Sequence, residues 1–572
     1  MSKTDWLPLR KIANFMRYLR ILLLSLPLVA TAGCDNSTST HQAAIASAHP
    51  LATQAGFEIL EQGGNAFDAA VAVSAALAVA EPTGSGLGGG GFWLLHDAKT
   101  GEKIMLDGRE TAPRKAHRDM YLNADGTVNR DLSLNGPMAA GIPGTPAGLV
   151  VLSEEYGKLP LSQSLAPAIR IAREGFEVTP RYQRMIGFRG QHFNDEAKAI
   201  LIPDGETPEV GTLIRQTDLA ITLERIAEFG HAGFYQGDTA EKMISAVQSA
   251  GGIWEAEDLT DYHVKKRHPI TGEFAGYNVT TAALPSGGGI LLINMLNQLS
   301  YLDYLNADPA LRLHYLAEVM RRGYHERSEH LGDSDFVTIP SHLTDKAFAE
   351  TLASTIDDNQ ASVSENGPDA FQGKGRDTTH FSIIDTEGNK VAATLSINYP
   401  FGSGFIVPGT GVLLNDEMDD FSAKAGTPNA YELVSESANG IEPGKRPLSS
   451  MTPTFVENDN NLLIVGTPGG SRIITMVLQG VLHFVDGLDA SDIVAQPRLH
   501  HQYLPDQVSL ETPGFDDDLV EALANRGHEI NHLNRQFGNM QLITLDKTNG
   551  EVKAASDPRG EGHAEVRSIT KH

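Results

Sequence analysis

The sequence has little cysteine and little positive charge, and the apolar run near its start is short. Cys34 is the single cysteine among 572 residues, which excludes an intrachain disulfide. Asp and Glu number 72 against 45 for Lys and Arg, so the formal net charge is −27. This charge argues against nucleic acid as a partner, because binding to a phosphate backbone needs a concentrated positive field. The apolar run, residues 21–32, is too short to span a bilayer.

Glycine and apolar residues, by contrast, are plentiful. Apolar side chains make up 41% of the chain, charged side chains 20%, and there are 57 glycines. This composition is typical of a globular protein rich in turns. The length allows either several domains or one large layered fold.

The first 33 residues resemble the export signal of a bacterial lipoprotein. Basic residues up to Arg20 precede the apolar run, which stops at Thr31-Ala32-Gly33-Cys34. We predict that residues 1–33 are a removable signal, that Cys34 is lipidated, and that the mature protein is periplasmic and touches a membrane only through this anchor. The alternative is an ordinary secretory signal with a chance cysteine.

Helix and strand signals indicate a layered α/β sandwich. Residues 50–64 predict a helix closed by two glycines, and Asn65 is placed to cap a second helix that is apolar nearly all round and therefore buried. Residues 362–377 are polar, and a strand pattern starts directly after them at Thr378. This strand turns back at residues 385–389, which predicts a hairpin.

A glycine-rich turn at residues 467–470 follows a predicted strand, and Ser471 is predicted to cap the apolar helix after it. Backbone N–H groups at such a turn and helix start point toward a common spot. This arrangement suits an oxyanion hole built from Gly469 and Gly470. A phosphate loop is the competing interpretation, but no Lys-Ser/Thr pair follows the glycines.

Thr378 is a candidate nucleophile. A threonine hydroxyl is weak by itself, but a cut before Thr378 would create an α-amine with a pKa of about 8 that can act as its base. The Thr378-Thr379 pair also suits the start of a strand, because threonine favours β-structure. The pair alone therefore does not decide between the two interpretations.

Six segments, taken together, resemble the γ-glutamyltranspeptidase family in kind and in order. They are DGRETAP at 107–113, DTTH at 377–380 with SIN at 396–398, NDEMDDF at 415–421, PNAY at 428–431, RPLSSM at 446–451 and GTPGGSR at 466–472. They span most of the chain after the predicted signal, and on them the chain is identified as a member of this family.

The resemblance implies a role for each matched residue. Cleavage between Asp377 and Thr378 makes Thr378 the catalytic N-terminal residue, Ser396 assists, and Gly469 and Gly470 form the oxyanion hole. The head group of a γ-glutamyl donor carries opposite charges close together. The implied binding residues are Arg109, Ser449 and Ser450 for the α-carboxylate, Asn398, Glu417 and Asp420 for the α-ammonium, and Tyr431 as a lid. A guanidinium suits this task because it binds a carboxylate through two parallel hydrogen bonds.

The resemblance implies no cofactor and no metal. His325 and His330 look like a zinc motif, but five residues place them about 140° apart around a helix. His380 is expected to lie on the same side of its strand as Thr378. We interpret it as structural or supporting, because the α-amine already fills the role of base.

The implied fold is α+β, a four-layer αββα sandwich of the N-terminal-nucleophile hydrolase type. Self-cleavage would divide it into a large subunit, 34–377, and a small subunit, 378–572, which stay together as a heterodimer. The implied activity is transfer of the γ-glutamyl group from glutathione and related donors to water or to amino-acid or dipeptide acceptors. Two alternatives remain: a cephalosporin or glutaryl acylase on the same fold, and an uncleaved lipoprotein that binds γ-glutamyl peptides.

Overall fold

Two antiparallel sheets stack at the centre of the molecule. The computed structural model describes residues 42–364 and 378–569. Within these ranges the first sheet has seven strands and the second has six. In spatial order the first contains His563–Arg567, Ala43–Ser47, Thr379–Ile384, Lys390–Ser396, Gly90–His96, Lys103–Gly108 and Lys265–Arg267. The second contains Glu551–Ser556, Gln541–Asp546, Asn461–Gly466, Thr454–Glu457, Tyr277–Thr281 and Ile270–Phe274.

Helices cover the outer face of each sheet. Pro50–Glu61 and Ala66–Ala80 pack on the first sheet, Leu161–Glu174 packs against these two helices, and Thr217–Phe229 packs against Leu161–Glu174. Those over the second are Gly288–Tyr301, Pro309–His330 and Ile473–Val485. Further helices are Arg130–Leu134, Thr145–Val151, Pro180–Arg189, Asp195–Leu201, Ala232–Tyr235, Gly237–Ser249, Ala256–Thr260, Lys346–Ala353, Ala490–Ala495 and Asp517–Asn525. Short strand pairs or groups are Phe176–Glu177 with Leu213–Ile214, Ile406–Val407 with Val412–Leu413, and Leu499–His500 with Val508–Glu511 and Ile530–Leu533.

Alternate residues of the first sheet point into different cores. Trp93 and Leu95 belong to the core beneath the first layer of helices, whereas Phe92 and Leu94 belong to the core that the two sheets share. This alternation is the period of a β-strand, and it requires packing on both faces of the sheet. The predicted four-layer αββα sandwich is confirmed.

The local predictions for the helix after Asn65 and for the hairpin after Thr378 agree with the structure. The helix Ala66–Ala80 is buried along its whole length, and Asn65 forms a capping box with Asp68. The strands Thr379–Ile384 and Lys390–Ser396 pair as an antiparallel hairpin. Patterns that depend only on neighbours in sequence therefore predicted these elements well.

The predicted cap at Ser471 is wrong. Residues Gly470–Arg472 form a short 3-10 helix, so the α-helix begins at Ile473 with Arg472 at its N-cap position and no capping bond from a side chain. The cause is the preceding turn: the N–H of Arg472 donates to the carbonyl of Gly469 over 3.1 Å, which encloses Ser471 in a 3-10 turn before the α-helix begins. The carbonyl of Ser471 instead accepts a hydrogen bond from the hydroxyl of Tyr324.

Strands from either side of position 378 lie next to each other in the first sheet. Thr379–Ile384 pairs with Ala43–Ser47, and Lys390–Ser396 pairs with Gly90–His96. A cut before Thr378 would leave both pairings intact.

The predicted signal, Cys34 and Asp377 lie outside the described residues. Within the described ranges, no helix is long and apolar enough to cross a membrane.

Candidate active site

The hairpin after position 378 fixes the place of the candidate nucleophile. Thr379 pairs with Leu395, and the same register continued by one residue puts Thr378 opposite Ser396. Their hydroxyl oxygens, Thr378 Oγ1 and Ser396 Oγ, are 3.3 Å apart, and both side chains are buried. The contact between the two predicted residues thus follows from strand register.

The hydroxyl of Ser396 is oriented by the backbone. The N–H of Asn398 donates to Ser396 Oγ over 2.8 Å, so the serine can direct its own proton toward Thr378. Asn398 has a φ of 70°, a left-handed conformation that asparagine tolerates better than most residues. Its side-chain amide donates to the carbonyl of Asp416 over 2.8 Å, which holds this bend in place.

The glycine turn and the predicted lid residue touch directly. A Cβ added at Gly470 would lie 2.1 Å from Cδ1 of Tyr431, so only a glycine leaves room for the tyrosine ring. The hydroxyl of Tyr431 donates to the carbonyl of Asn398 over 3.0 Å. Turn, tyrosine and Asn398 together form one wall of a pocket.

Nine of the predicted site residues line this pocket. They are Thr378, Ser396, Asn398, Glu417, Asp420, Tyr431, Ser449, Ser450 and Gly470. Apolar side chains, among them Leu448 and Ile473, complete it. Gly469, next to Gly470, faces a neighbouring cleft instead.

Arg109 stands behind this pocket and is fully buried. Its Nη1 donates to Glu417 over 2.7 Å and its Nη2 donates to Asp420 over 2.5 Å. Its Nε donates to the carbonyl of Pro447 over 3.2 Å. The residues predicted to bind the two charges of a donor therefore neutralise one another, and a zwitterion of the right size could exchange with this internal pairing.

Two carboxyls around Arg109 hold their protons unusually strongly. Burial, reinforced by the neighbouring Glu417 carboxylate, raises the pKa of Asp420 to about 7 although Arg109 opposes the shift. Burial also raises the pKa of Glu110, which lies 3.4 Å from Arg109, well above its usual range. Burial is the larger cause, and the mutual repulsion of three acidic residues around one guanidinium adds to it, because water does not screen their charges.

Arg327 lines the pocket and was not predicted from the sequence. It is buried on the helix Pro309–His330, and its Nη2 donates to Ser450 Oγ over 3.4 Å. Its Nε has no hydrogen-bond partner among the described residues, and burial lowers the pKa of its guanidinium. The signal was present: Met320, Tyr324 and Arg327 recur at helical spacing on the buried face.

His380 belongs to the first strand of the hairpin, and its ring forms hydrogen bonds with side chains other than that of Thr378. Its Nδ1 is 2.9 Å from Thr394 Oγ1 and its Nε2 is 3.2 Å from Ser382 Oγ. Burial lowers its pKa to about 3, so the imidazole is neutral at physiological pH. These contacts fit the structural role that we predicted.

One cluster among the described residues has the spacing of metal ligands. The ligand atoms of His314, Glu318 and His528 lie within 4.8 Å of one another. However, Glu318 accepts hydrogen bonds from Arg322 and Ser362, and the two imidazole rings bond to each other over 2.8 Å. The groups are thus largely engaged by hydrogen bonds, although His528 Nδ1 has no partner among the described residues, and they lie outside the pocket lining.

Solved structures define the class to which this fold and site belong. Cephalosporin acylase from Bacillus halodurans superposes with a TM-score of 0.82 at 28% identity, covering 95% of this chain and 98% of its own. γ-Glutamyltranspeptidase from Helicobacter pylori superposes with a TM-score of 0.54 at 39% identity, covering 57% of this chain and 97% of its own. The sandwich is that of an N-terminal-nucleophile hydrolase.

Sequence comparison places the chain within that class. The γ-glutamyltranspeptidase family model matches residues 52–567. The glutathione hydrolase proenzyme of Escherichia coli (strain K12) is 42% identical over 528 residues, which are 91% of this chain and 90% of that protein. That of Bacillus subtilis (strain 168) is 34% identical over 547 residues, again 91% and 90%. The chain belongs to the γ-glutamyltranspeptidase family, as its segments predicted.

Proposed function

We propose that this chain is a self-cleaving γ-glutamyltranspeptidase and glutathione hydrolase with Thr378 as its nucleophile. The observation that carries the proposal is the arrangement around one pocket: the Thr378 hydroxyl, the glycine turn and a set of opposite charges. Family membership supports it, and the Escherichia coli relative is called a proenzyme. The γ-glutamyl group that becomes esterified to Thr378 then passes to water or to an amino-acid or peptide acceptor.

Self-cleavage comes first. Thr378 has no free amine in the uncut chain, so its hydroxyl oxygen attacks the carbonyl carbon of Asp377 while Ser396 relays the hydroxyl proton. The peptide nitrogen leaves as an amine and an ester forms. Water then hydrolyses the ester, which leaves a carboxylate on Asp377 and returns the hydroxyl of Thr378, whose α-amine is already free.

The transfer reaction uses the same hydroxyl. The α-amine of Thr378 accepts its proton as the oxygen attacks the γ-carbonyl of the donor, and the N–H groups at Gly469 and Gly470 stabilise the oxyanion. The amine then gives the proton to the leaving nitrogen, and an acyl-enzyme remains. Water or an acceptor amine attacks this ester and restores the free threonine.

Donor binding would replace the internal ion pair of the pocket. The α-carboxylate of the donor binds to the guanidinium of Arg109, and its α-ammonium binds to the carboxylates of Asp420 and Glu417. Ser449 and Ser450 line the same pocket, and their hydroxyls donate hydrogen bonds to the carboxylate. Each charged group of the pocket thus gains a partner on the donor as it loses its internal one, which avoids leaving a buried charge without a partner.

Incubation with glutathione tests the activity. We expect glutamate to be released, and a γ-glutamyl dipeptide to form in addition when glycylglycine is present. Liquid chromatography with mass spectrometry measures both products. A preparation that has been cut before Thr378 but releases neither product would contradict the proposed function.

The likeness to a cephalosporin acylase makes acylase activity the second candidate. Such an enzyme prefers donors without the α-amino group, whereas the acidic residues around Arg109 favour donors that carry it. Comparison of kcat/KM for γ-glutamyl-4-nitroanilide and glutaryl-4-nitroanilide separates the two. A preference for the glutaryl compound would favour the acylase.

We also propose that the protein is a periplasmic lipoprotein anchored at Cys34. The support is the basic and then apolar start of the sequence, followed by Gly33 and the single cysteine. Cys34→Ala should move the protein from the membrane fraction to the soluble fraction. A Cys34→Ala protein that fractionates with membranes as before would contradict the anchor.

A further inference from the structure

A positively charged cleft lies next to the catalytic pocket. Its volume is about 440 Å³, and its walls come from the helix Pro180–Arg189, from residues 535–539 and from the glycine turn. Five arginines line it, and among the described residues no Asp or Glu does. They are Arg181, Arg184, Arg472, Arg535 and Arg559. In a chain with a net charge of −27, this concentration of one sign is unusual.

The charges in this cleft are only partly neutralised. Arg559 is held by both carboxylate oxygens of Glu511, at 3.0 and 2.7 Å. Arg184 and Arg535, in contrast, form no ion pair within the part of the chain that the structure describes. Arg472 lies over the ring of Phe537 at 5.3 Å. Positive charge is therefore available to a ligand in the cleft.

Two chain segments join the cleft to the pocket. Gly469 lines the cleft while Gly470 lines the pocket, and Pro400 lines the cleft while Asn398 lines the pocket. The predicted oxyanion hole thus lies between the two cavities. A donor whose glutamyl head group occupies the pocket and whose scissile carbonyl sits at the turn would extend its other end toward the cleft.

We propose that the arginine cleft binds the carboxylate of the leaving group and, after its release, the carboxylate of the incoming acceptor. This inference rests on the proposed function. It assigns to these arginines the preference for donors and acceptors that carry a carboxylate at this end. Two residues in extended form reach about 7 Å beyond the scissile bond, a length that lets the carboxylate of a dipeptide extend past the turn that separates the two cavities.

Two chromogenic donors that differ by one carboxylate test this directly. γ-Glutamyl-4-nitroanilide has an uncharged leaving group, and γ-glutamyl-3-carboxy-4-nitroanilide carries a carboxylate on the same ring. The cleaved wild-type protein is compared with an Arg184→Gln/Arg535→Gln double variant. We expect the ratio of kcat/KM, charged over uncharged donor, to fall by roughly tenfold in the double variant, mainly through KM.

Salt and a control variant complete the experiment. Raising NaCl to about 0.5 M should lower the wild-type ratio and leave that of the double variant nearly constant, because salt screens exposed charges.

Arg215→Gln removes an exposed arginine outside the cleft lining and should keep the wild-type ratio. If the double variant turns over both donors with an unchanged ratio, the proposed role of the cleft in binding carboxylates is wrong. If wild-type protein hydrolyses neither donor, the proposed function is wrong instead.

Discussion

At the scale of single residues, the pocket contains an internal ion pair at the place where the charges of the donor are expected to bind. Arg109 contacts both Glu417 and Asp420, which come from a segment more than 300 positions away. Arg109 is predicted to bind the carboxylate of the donor, and the two acidic residues its ammonium. In the structure these oppositely charged residues bind each other. Removal of the guanidinium or of the carboxylates leaves a buried charge without its partner.

We expect Arg109→Lys and Asp420→Ala to impair donor use without preventing cleavage before Thr378. Loss of a buried charge partner costs about 2–5 kcal/mol, so kcat/KM for glutathione should fall by tens to thousands of fold. Steady-state kinetics measure the loss, and a denaturing gel shows whether cleavage persists. Wild-type kinetics in both variants would remove these residues from the donor site.

The pKa of Asp420, raised to about 7, predicts a pH dependence. Below pH 7 this carboxyl becomes protonated and no longer attracts the donor's ammonium, so kcat/KM falls as the pH falls. The Thr378 α-amine must also be neutral, with a pKa of about 8. The acid limb for a γ-glutamyl donor should therefore approach a slope of about two, against about one for a glutaryl donor. Equal slopes for the two donors would contradict the role of Asp420.

Gly470 offers a steric test of the contact with Tyr431. Gly470→Ala would place a Cβ 2.1 Å from the tyrosine ring, so the ring must move and KM for γ-glutamyl donors should rise. Gly487→Ala is the matched control, because Gly487 also has a positive φ, 89°, but nothing within 4 Å of an added Cβ. If both variants show the same KM, the ring contact is unimportant for donor binding.

At the scale of elements, strand register explains why one part of the site was predictable. Thr378 and Ser396 meet because a short turn fixes the pairing of two strands, and both the turn and the strands are visible in sequence. Helical spacing indicates that Arg327 lies on the buried face of its helix, but which pocket that face borders depends on how the helix packs against its neighbours. The internal pairing of Arg109 with Asp420 was missed for the same reason, since nothing local reveals which distant groups meet. Ser471 failed as a cap because the preceding glycines begin a 3-10 turn.

Ser396 should matter more for self-cleavage through its hydroxyl than through its size. Ser396→Ala removes the group 3.3 Å from Thr378 Oγ1, and we expect cleavage to slow by roughly 10- to 100-fold. Ser396→Thr retains the hydroxyl at the same place in the register and should cleave at close to the wild-type rate. The fraction of uncut chain over time, measured on a denaturing gel, gives both rates. Equal rates for the alanine and threonine variants would exclude this role.

At the scale of the whole molecule, the two predicted subunits share one sheet. The strand Thr379–Ile384 lies between Ala43–Ser47 and Lys390–Ser396, and the latter pairs with Gly90–His96. We expect the cut protein to elute from a size-exclusion column as one species and to separate only in denaturant. Separation of the fragments under native conditions would contradict this arrangement.

The central claim is that Thr378 both cuts the chain and carries the γ-glutamyl group. Its neighbour Thr379 is a matched control, because its side chain projects from the opposite face of the strand. Thr378→Ala should remain a single chain and release no glutamate from glutathione, whereas Thr379→Ala should still be cut.

The most direct measurement is N-terminal sequencing of the smaller fragment from the wild type, beside a denaturing gel and a glutathione assay of Thr378→Ala. The account predicts a fragment that begins at Thr378 and an uncut, inactive variant. A fragment that begins elsewhere, or a Thr378→Ala protein that still splits and still hydrolyses glutathione, would contradict it.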